Sequence, residues 1–230
     1  MKLLAVDTSS DACSAAVSVD GQIISRFEIA PRRHAEILLP MLDELLHEAG
    51  ISVAQLDVLA MGCGPGAFTG LRVAAGVTQG LAFGADLPVV MVSTLTALAQ
   101  RGWREQRTKQ VLAGFDARLG EVYWSACQLD EAGFMTATGN ERVCRPEDIP
   151  MPDSANWLGL GSAWQVYSDV LSDRLGARCL DWQGDIYPHA IDISVLGEHA
   201  YAAGQAVSAE QVLPVYLRND VARKMQQQDV

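Results

Sequence analysis

Apolar positions alternate or run continuously in short blocks at the start of the chain, and polar turns separate them. Leu3 to Ser9 and Cys13 to Val19 read as two strands joined by a short polar turn. Asp20-Gly21 turns the chain into a third strand, Gln22 to Glu28. The period then lengthens to that of a helix from about Ala35 to Ala49, which Gly50 closes because glycine readily takes the left-handed conformation. Asp57 to Cys63 is a further strand, and the loop Gly64-Pro65-Gly66-Ala67-Phe68-Thr69-Gly70 opens a second helix that runs to about Phe83. A strand over Leu87 to Val92 and a helix opening at Ser93 complete the set.

The same order then recurs. Val111 to Asp116 answers Leu3 to Asp7, each an apolar strand ending in Asp, and Glu121 to Leu129 follows as a second strand. Ala132-Gly133 turns into a third strand, as Asp20-Gly21 does, and Trp157 to Gly161 answers Leu59 to Gly64 as a strand running through glycine into a helix. A short strand near Arg178 to Trp182 and a helix from Pro188 to Ala203 finish the copy. Two such units predict an α/β chain of two pseudo-symmetric lobes with mixed sheets, residues 1–105 and 106–230, divided in the polar stretch Gly102 to Gln110. This is the element order of the actin-like ATPase (ASKHA) fold, whose members bind a nucleotide between lobes, and fold alone does not give function.

Composition narrows the classes. Among 230 residues, 49% are hydrophobic and 20% charged, which excludes a disordered or fibrous chain. Lys and Arg number 17 against 28 Asp and Glu, a formal charge of −11. Phosphate affinity comes mainly from Lys and Arg, so this chain is not expected to hold a nucleic acid by itself. No apolar run reaches the roughly 20 residues of a membrane span. Asp7 arrives too soon for a secretion signal, and the odd five cysteines lack CxxC spacing. A reduced, cytoplasmic protein is expected.

Few residues offer chemistry. Asp7, Thr8 and Asp116, at strand ends facing a cleft, could line a degenerate nucleotide site, since such carboxylates hold Mg²⁺ or orient water. The turn Asp7-Thr8-Ser9-Ser10-Asp11 has no glycine to let backbone N–H groups approach phosphate, and the alternative is a plain turn carboxylate. The glycine loop at 64–70 ends in Leu71-Arg72 where a phosphate loop has Lys-Ser/Thr, so it is either an anion site at a helix start or a tight turn. No two of the four histidines are spaced for a metal, and no GxSxG elbow is present, so neither a catalytic nor a metal residue is assigned.

The first two helices are more informative. Ile37, Leu38, Leu39, Met41, Leu42, Leu45 and Leu46 span an apolar arc of roughly 200°, about twice what one buried face needs. On the second helix Gly76, Gly80 and Gly84 recur every fourth residue, a spacing that predicts close packing because each costs about 1 kcal/mol relative to Ala. Either the sheet covers both helices from within, or they expose an apolar surface for a partner; the second is the expectation. Leu38, Met41, Leu42, Leu45, Arg72, Gly76, Gly80 and Phe83 are its candidate residues, and alone the chain is expected to pair with its own copy.

Five stretches together resemble the TsaB (YeaZ) family. They are Ala5-Val6-Asp7-Thr8, His34-Ala35-Glu36-Ile37-Leu38-Leu39-Pro40, Gly64 to Arg72, Asp116-Ala117-Arg118-Leu119-Gly120-Glu121-Val122-Tyr123, and Pro214-Val215-Tyr216-Leu217-Arg218. Ala35 and Ala67 stand where that family commonly has serine. The resemblance implies a non-catalytic subunit that pairs with TsaD to form N6-threonylcarbamoyladenosine at adenosine 37 of tRNAs reading ANN codons. The ATPase TsaE would join through the complex, tRNA would be held indirectly, and ATP or ADP would sit at the complex interface rather than on this chain. It also implies that the His-x-x-x-His metal pair of TsaD falls here on Thr94 and Leu98. The alternatives are a glycoprotease-like peptidase and a stand-alone actin-like ATPase or kinase.

Overall fold

A computed structural model describes residues 1–218; residues 219–230, the end of the expected second lobe, lie outside the described residues. β1 (Lys2–Asp7), β2 (Ala12–Val19) and β3 (Gln22–Ile29) form a meander, followed by α1 (His34–Ala49), β4 (Val58–Gly64), α2 (Phe68–Ala85), β5 (Val89–Ser93) and α3 (Thr94–Gln106). The second half contributes β6 (Gln110–Arg118), β7 (Glu121–Leu129), β8 (Met135–Ala137), β9 (Arg142–Cys144), β10 (Trp157–Leu160), α4 (Ser162–Leu175), β11 (Cys179–Gln183) and α5 (Ala190–Ala202).

The first sheet has the order β3-β2-β1-β4-β5, antiparallel through the meander and parallel from β1 to β4 to β5. The second runs β8-β7-β6-β10-β11 with the same alternation of direction. The two sheets therefore share one topology, that of the actin-like fold. The copy departs at its third strand, which is divided into β8 and β9, both paired with β7.

Period-two alternation sends β1 into two cores at once. Leu4 and Val6 face α1 and α2 with Leu38, Leu42, Leu45 and Ala74. Leu3 and Ala5 face Ala190, Ile193 and Leu196 of α5. On the second sheet, Val111 and Ala113 meet Leu95 and Leu98 of α3, while Leu112 and Trp124 meet Trp164 and Leu171 of α4. Each half thus lends its last helix to the other's sheet. The linear division at 105/106 falls between α3 and β6, but in space α3 covers the second sheet and α5 the first. Arg104 of α3 clamps Asp192 of α5 with two bonds of 2.9 Å, joining the exchanged helices. The segment after α5 also crosses the lobes. Val207 pairs with Val89, the Val215 N–H donates to Cys63 O (2.7 Å), and Arg218 reaches Glu121 and Arg118 O.

Candidate partner-binding face and interlobe cleft

Asp7 ends β1 fully buried. Its Oδ1 accepts from the Ser9 N–H (3.2 Å) and Ser9 Oγ (3.0 Å), while Oδ2 has no partner among the described residues. A Cβ placed on Gly62 would lie 2.0 Å from that Oδ2, so the carboxyl is pressed against β4. Burial pushes its pKa up to about 7, against which the Ser9 bonds act only in part. Thr8 is equally buried, and its hydroxyl donates to Gly70 O (2.7 Å). Neither residue lines an open cleft as expected, because the glycine loop fills the space in front of them.

That packing accounts for the loop's glycines. A Cβ at Gly70 would meet Thr8 O at 1.8 Å, and one at Gly66 would meet Ser9 O at 2.4 Å. The Ala67 N–H at the start of α2 donates to Ser9 O (2.7 Å). Of the two readings left open, the structure takes the tight turn: the close approach that glycine permits is to this chain's own carbonyls. His34 donates through Nε2 to Ser10 O (2.8 Å) and pins the same turn from α1.

Asp116 occupies the equivalent strand end in the second lobe, and no hydrogen bond joins it to Asp7 among the described residues. It accepts from the Arg118 N–H (2.8 Å) and Tyr167 Oη (3.3 Å) and pairs with the Arg118 guanidinium (3.0 Å). Thr94, where a metal ligand was sought, is buried and donates to Pro65 O, and Leu98 lies in the core against the second sheet. Among the described residues no three His, Cys, Asp or Glu side chains converge. Burial pushes the thiols of Cys13, Cys63 and Cys127 up to about 12, away from the thiolate form.

The helix pair corrects the first reading of its own surface. Leu38, Met41, Leu42 and Leu45, expected on a partner face, are buried in the lobe's core, because α1 lies on β2 and is flanked by α2. The wide apolar arc is mostly spent within the lobe. What α1 leaves outside is Leu39, 53% exposed, beside Ala35 and Pro40. The expectation fares differently on α2. Arg72, Gly76, Gly80 and Phe83 all lie on its solvent side, with Phe68 and Gly84 in the same stripe. Phe83 is 76% exposed and Phe68 52%. A Cβ on Gly76, Gly80 or Gly84 would meet nothing within 4 Å. Among the described residues nothing packs closely on the glycines.

Arg72 is held in place at the start of this stripe. Its guanidinium carbon sits 3.8 Å from the Phe68 ring centroid, and its Nε donates to Tyr216 Oη (3.2 Å). Phe68 and Tyr216 tilt against each other at 5.4 Å, so the Pro214–Arg218 stretch fixes the edge of the face. Phe68, Leu39 and Tyr216 are not among the candidate partner residues of the sequence; Leu39 counts only in the apolar arc of α1, and the fourfold spacing of Phe68, Arg72, Gly76 and Gly80 signals Phe68 alone.

Comparison with known proteins now bears on this arrangement. A family model described as "TsaD: tRNA N6-adenosine threonylcarbamoyltransferase" matches residues 23–228. The chain is 41% identical over 227 residues to the tRNA threonylcarbamoyladenosine biosynthesis protein TsaB of Escherichia coli K12, covering 97% of each. The chain belongs to the TsaB family. Its Haemophilus influenzae relative of the same name is 40% identical, over 97% of this chain and 96% of the other. The solved structure of YeaZ from Pseudomonas aeruginosa is 46% identical and superposes with a TM-score of 0.88, covering 94% of this chain and 99% of that one. TsaB membership thus accounts for the five matching stretches, whose motif residues serve mainly to pack the β1–β2 turn and to fix the edge of α2.

Proposed function

We propose that this chain is the partner subunit in forming N6-threonylcarbamoyladenosine on tRNA, docking a TsaD-type catalytic subunit on the outer face of α2 and the exposed edge of α1. The names of its relatives support the pathway, and the match to the TsaD model supports a partner of the same fold. The observation that carries the docking site is the open stripe Gly76, Gly80 and Gly84 between Phe68 and Phe83. Three helical glycines cost about 3 kcal/mol relative to alanine, and no contact among the described residues offsets that. A second backbone laid along the stripe offsets it, with the two phenyl rings as anchors.

A non-catalytic role is supported by the engaged Thr94, the core position of Leu98 and the enclosed Asp7, whose pKa burial raises to about 7. Nucleotide, TsaE and tRNA then belong to the complex, and the formal charge of −11 supports leaving tRNA to other subunits. No helix among the described residues is long and apolar enough to cross a membrane, and we place the complex in the cytoplasm.

Co-expression with affinity-tagged TsaD from the same cell tests this reading. Gly80→Leu and Phe83→Glu are expected to abolish co-purification while the melting temperature of the isolated chain, measured at dilution where it is monomeric, stays at or above that of wild type. Wild-type recovery of both variants with TsaD would overturn it.

A further inference from the structure

Helix α2 has 18 residues, and Arg72 is the single charged one. Side chains on a helix lean toward its N-terminus, and the Arg72 guanidinium accordingly lies over the ring of Phe68, the first residue of α2. That end of a helix carries partial positive charge, so a cation there is disfavoured. No residue of the first turn is acidic. Arg72 also enters none of the ion pairs among the described residues. The fold therefore sets an uncompensated charge where its own helix opposes one.

The guanidinium is nevertheless held from two sides. The Phe68 ring covers one face at 3.8 Å, and Tyr216 Oη accepts from Nε at 3.2 Å. Tyr216 is itself fixed, because its neighbour Val215 donates its N–H to Cys63 O of β4 and its ring leans on Phe68. An exposed arginine ordinarily loses much rotamer freedom on pairing; stacking and the Nε bond remove that freedom before any partner arrives. Nε is the one donor spent among the described residues. The Nη groups remain, a fork that matches the two oxygens of a carboxylate.

We propose that Arg72 is the charged anchor of the α2 face and pairs with a carboxylate of the protein that docks there, which sets the register and direction of docking. The inference rests on the docking function proposed above and names what the partner presents. An acidic side chain faces the start of α2, and an apolar surface lies about 16 Å further along for Phe83, 11 residues on at about 1.5 Å each. A carboxylate in that place is favoured by the same helix end that disfavours the unpaired arginine. A phosphate fits the fork as well, but polyanion sites gather several cations. Helix α2 offers one, in a chain whose formal charge is −11.

Calorimetric titration of purified TsaD with the full chain, repeated across a series of salt concentrations, tests the pairing. Arg72→Met keeps an apolar stem on Phe68 and removes the charge. It is expected to bind about tenfold more weakly at low salt and to lose most of the wild-type salt dependence, with the melting temperature at dilution unchanged. Arg72→Glu is expected to bind about a hundredfold more weakly, and one lysine substitution in a scan of the exposed acidic residues of TsaD is expected to restore it. Phe83→Glu is the control for the docking reading itself. If it abolishes binding while Arg72→Met matches wild type in affinity and salt dependence, the docking face stands and the anchor is overturned. If neither Phe83→Glu nor Arg72→Met weakens binding, the docking reading falls and the anchor with it. An Arg72→Met chain that keeps TsaD but costs the assembled complex its affinity for tRNA would assign the arginine to a phosphate and overturn the carboxylate. A scan in which no TsaD variant restores Arg72→Glu would overturn it too.

Discussion

Replacing Asp7 by asparagine tests how the cleft is built, because the substitution removes a titration and little volume. Unfolded, the carboxyl titrates near its ordinary value of 3.8; folded, burial raises that to about 7. Between these values the native state binds the proton and the unfolded state does not, so stability falls as pH rises through the window. The gap spans about three pH units at about 1.4 kcal/mol each, or about 4 kcal/mol in all. Raising the pH from 5 to 8 should therefore cost wild type about 3 kcal/mol relative to Asp7→Asn. Urea unfolding of both proteins at several pH values measures this, and the difference between them is the quantity to plot. His189, whose pKa burial lowers to about 4, loses stability as pH falls from 6.5 toward that value, but it is common to both proteins and cancels. A difference that stays flat from pH 5 to 8, or that moves in favour of wild type as pH rises, would refute an enclosed Asp7 whose pKa burial raises. Mg²⁺ and ATP together should leave the difference unchanged in the isolated chain, since the carboxyl is fully buried against β4 and leaves no room for a magnesium ion and its waters.

Three other outcomes follow from the same packing. Leu42→Glu places a carboxylate in the core of the first lobe, and thermal unfolding should show a loss of several kcal/mol, with TsaD binding lost only through unfolding. Light scattering of the isolated chain should show a concentration-dependent dimer, which Phe83→Glu dissociates; a strict monomer at high concentration counts against the α2 face as an adhesive surface. Arg104→Met strands the buried Asp192 carboxylate between the exchanged helices and should cost about 3 kcal/mol by chemical denaturation, a loss that disappears in the double variant with Asp192→Asn.

Much of the fold was legible in the sequence because its signals are local. Alternation in Leu3 to Val19, the Asp20-Gly21 turn and Gly50 at the end of α1 each act within a few residues, and repetition of their order disclosed the second lobe. The exchange of α3 and α5 was not legible, since an apolar helical face says that it is buried and not against which sheet. The same limit explains the reading of α1. Leu38, Leu42 and Leu45 look alike whether the lobe's own sheet or another chain covers them, and only the positions of α2 and β2 decide. Leu119 shows the converse. It takes φ +57° at the β6–β7 turn with Gly120 at +79°, a pair of positive angles that sequence assigns to Asn-Gly and not to Leu-Gly.

The glycines carry the functional argument because they separate two uses of the same residue. Gly66 and Gly70 are crowded: the Ser9 and Thr8 carbonyls stand where a side chain would begin, so these glycines are explained within the chain. In a phosphate-binding loop, such freedom lets a ligand oxygen reach the backbone; here the β1–β2 turn takes that place. Gly76, Gly80 and Gly84 have open space in front of them among the described residues, which offer no contact to offset their cost to α2. On the function proposed above, the packed β1–β2 turn and the bare outer stripe of α2 together put recognition on the surface of the molecule. Filling the bare stripe should accordingly stabilise the isolated subunit and disable the assembled one, and Gly76→Ala, the smallest such filling, should raise the melting temperature by a few degrees while weakening TsaD binding. A Gly76→Ala chain that gains stability and binds TsaD as well as wild type would mean that the glycines answer to something other than a closely packed partner.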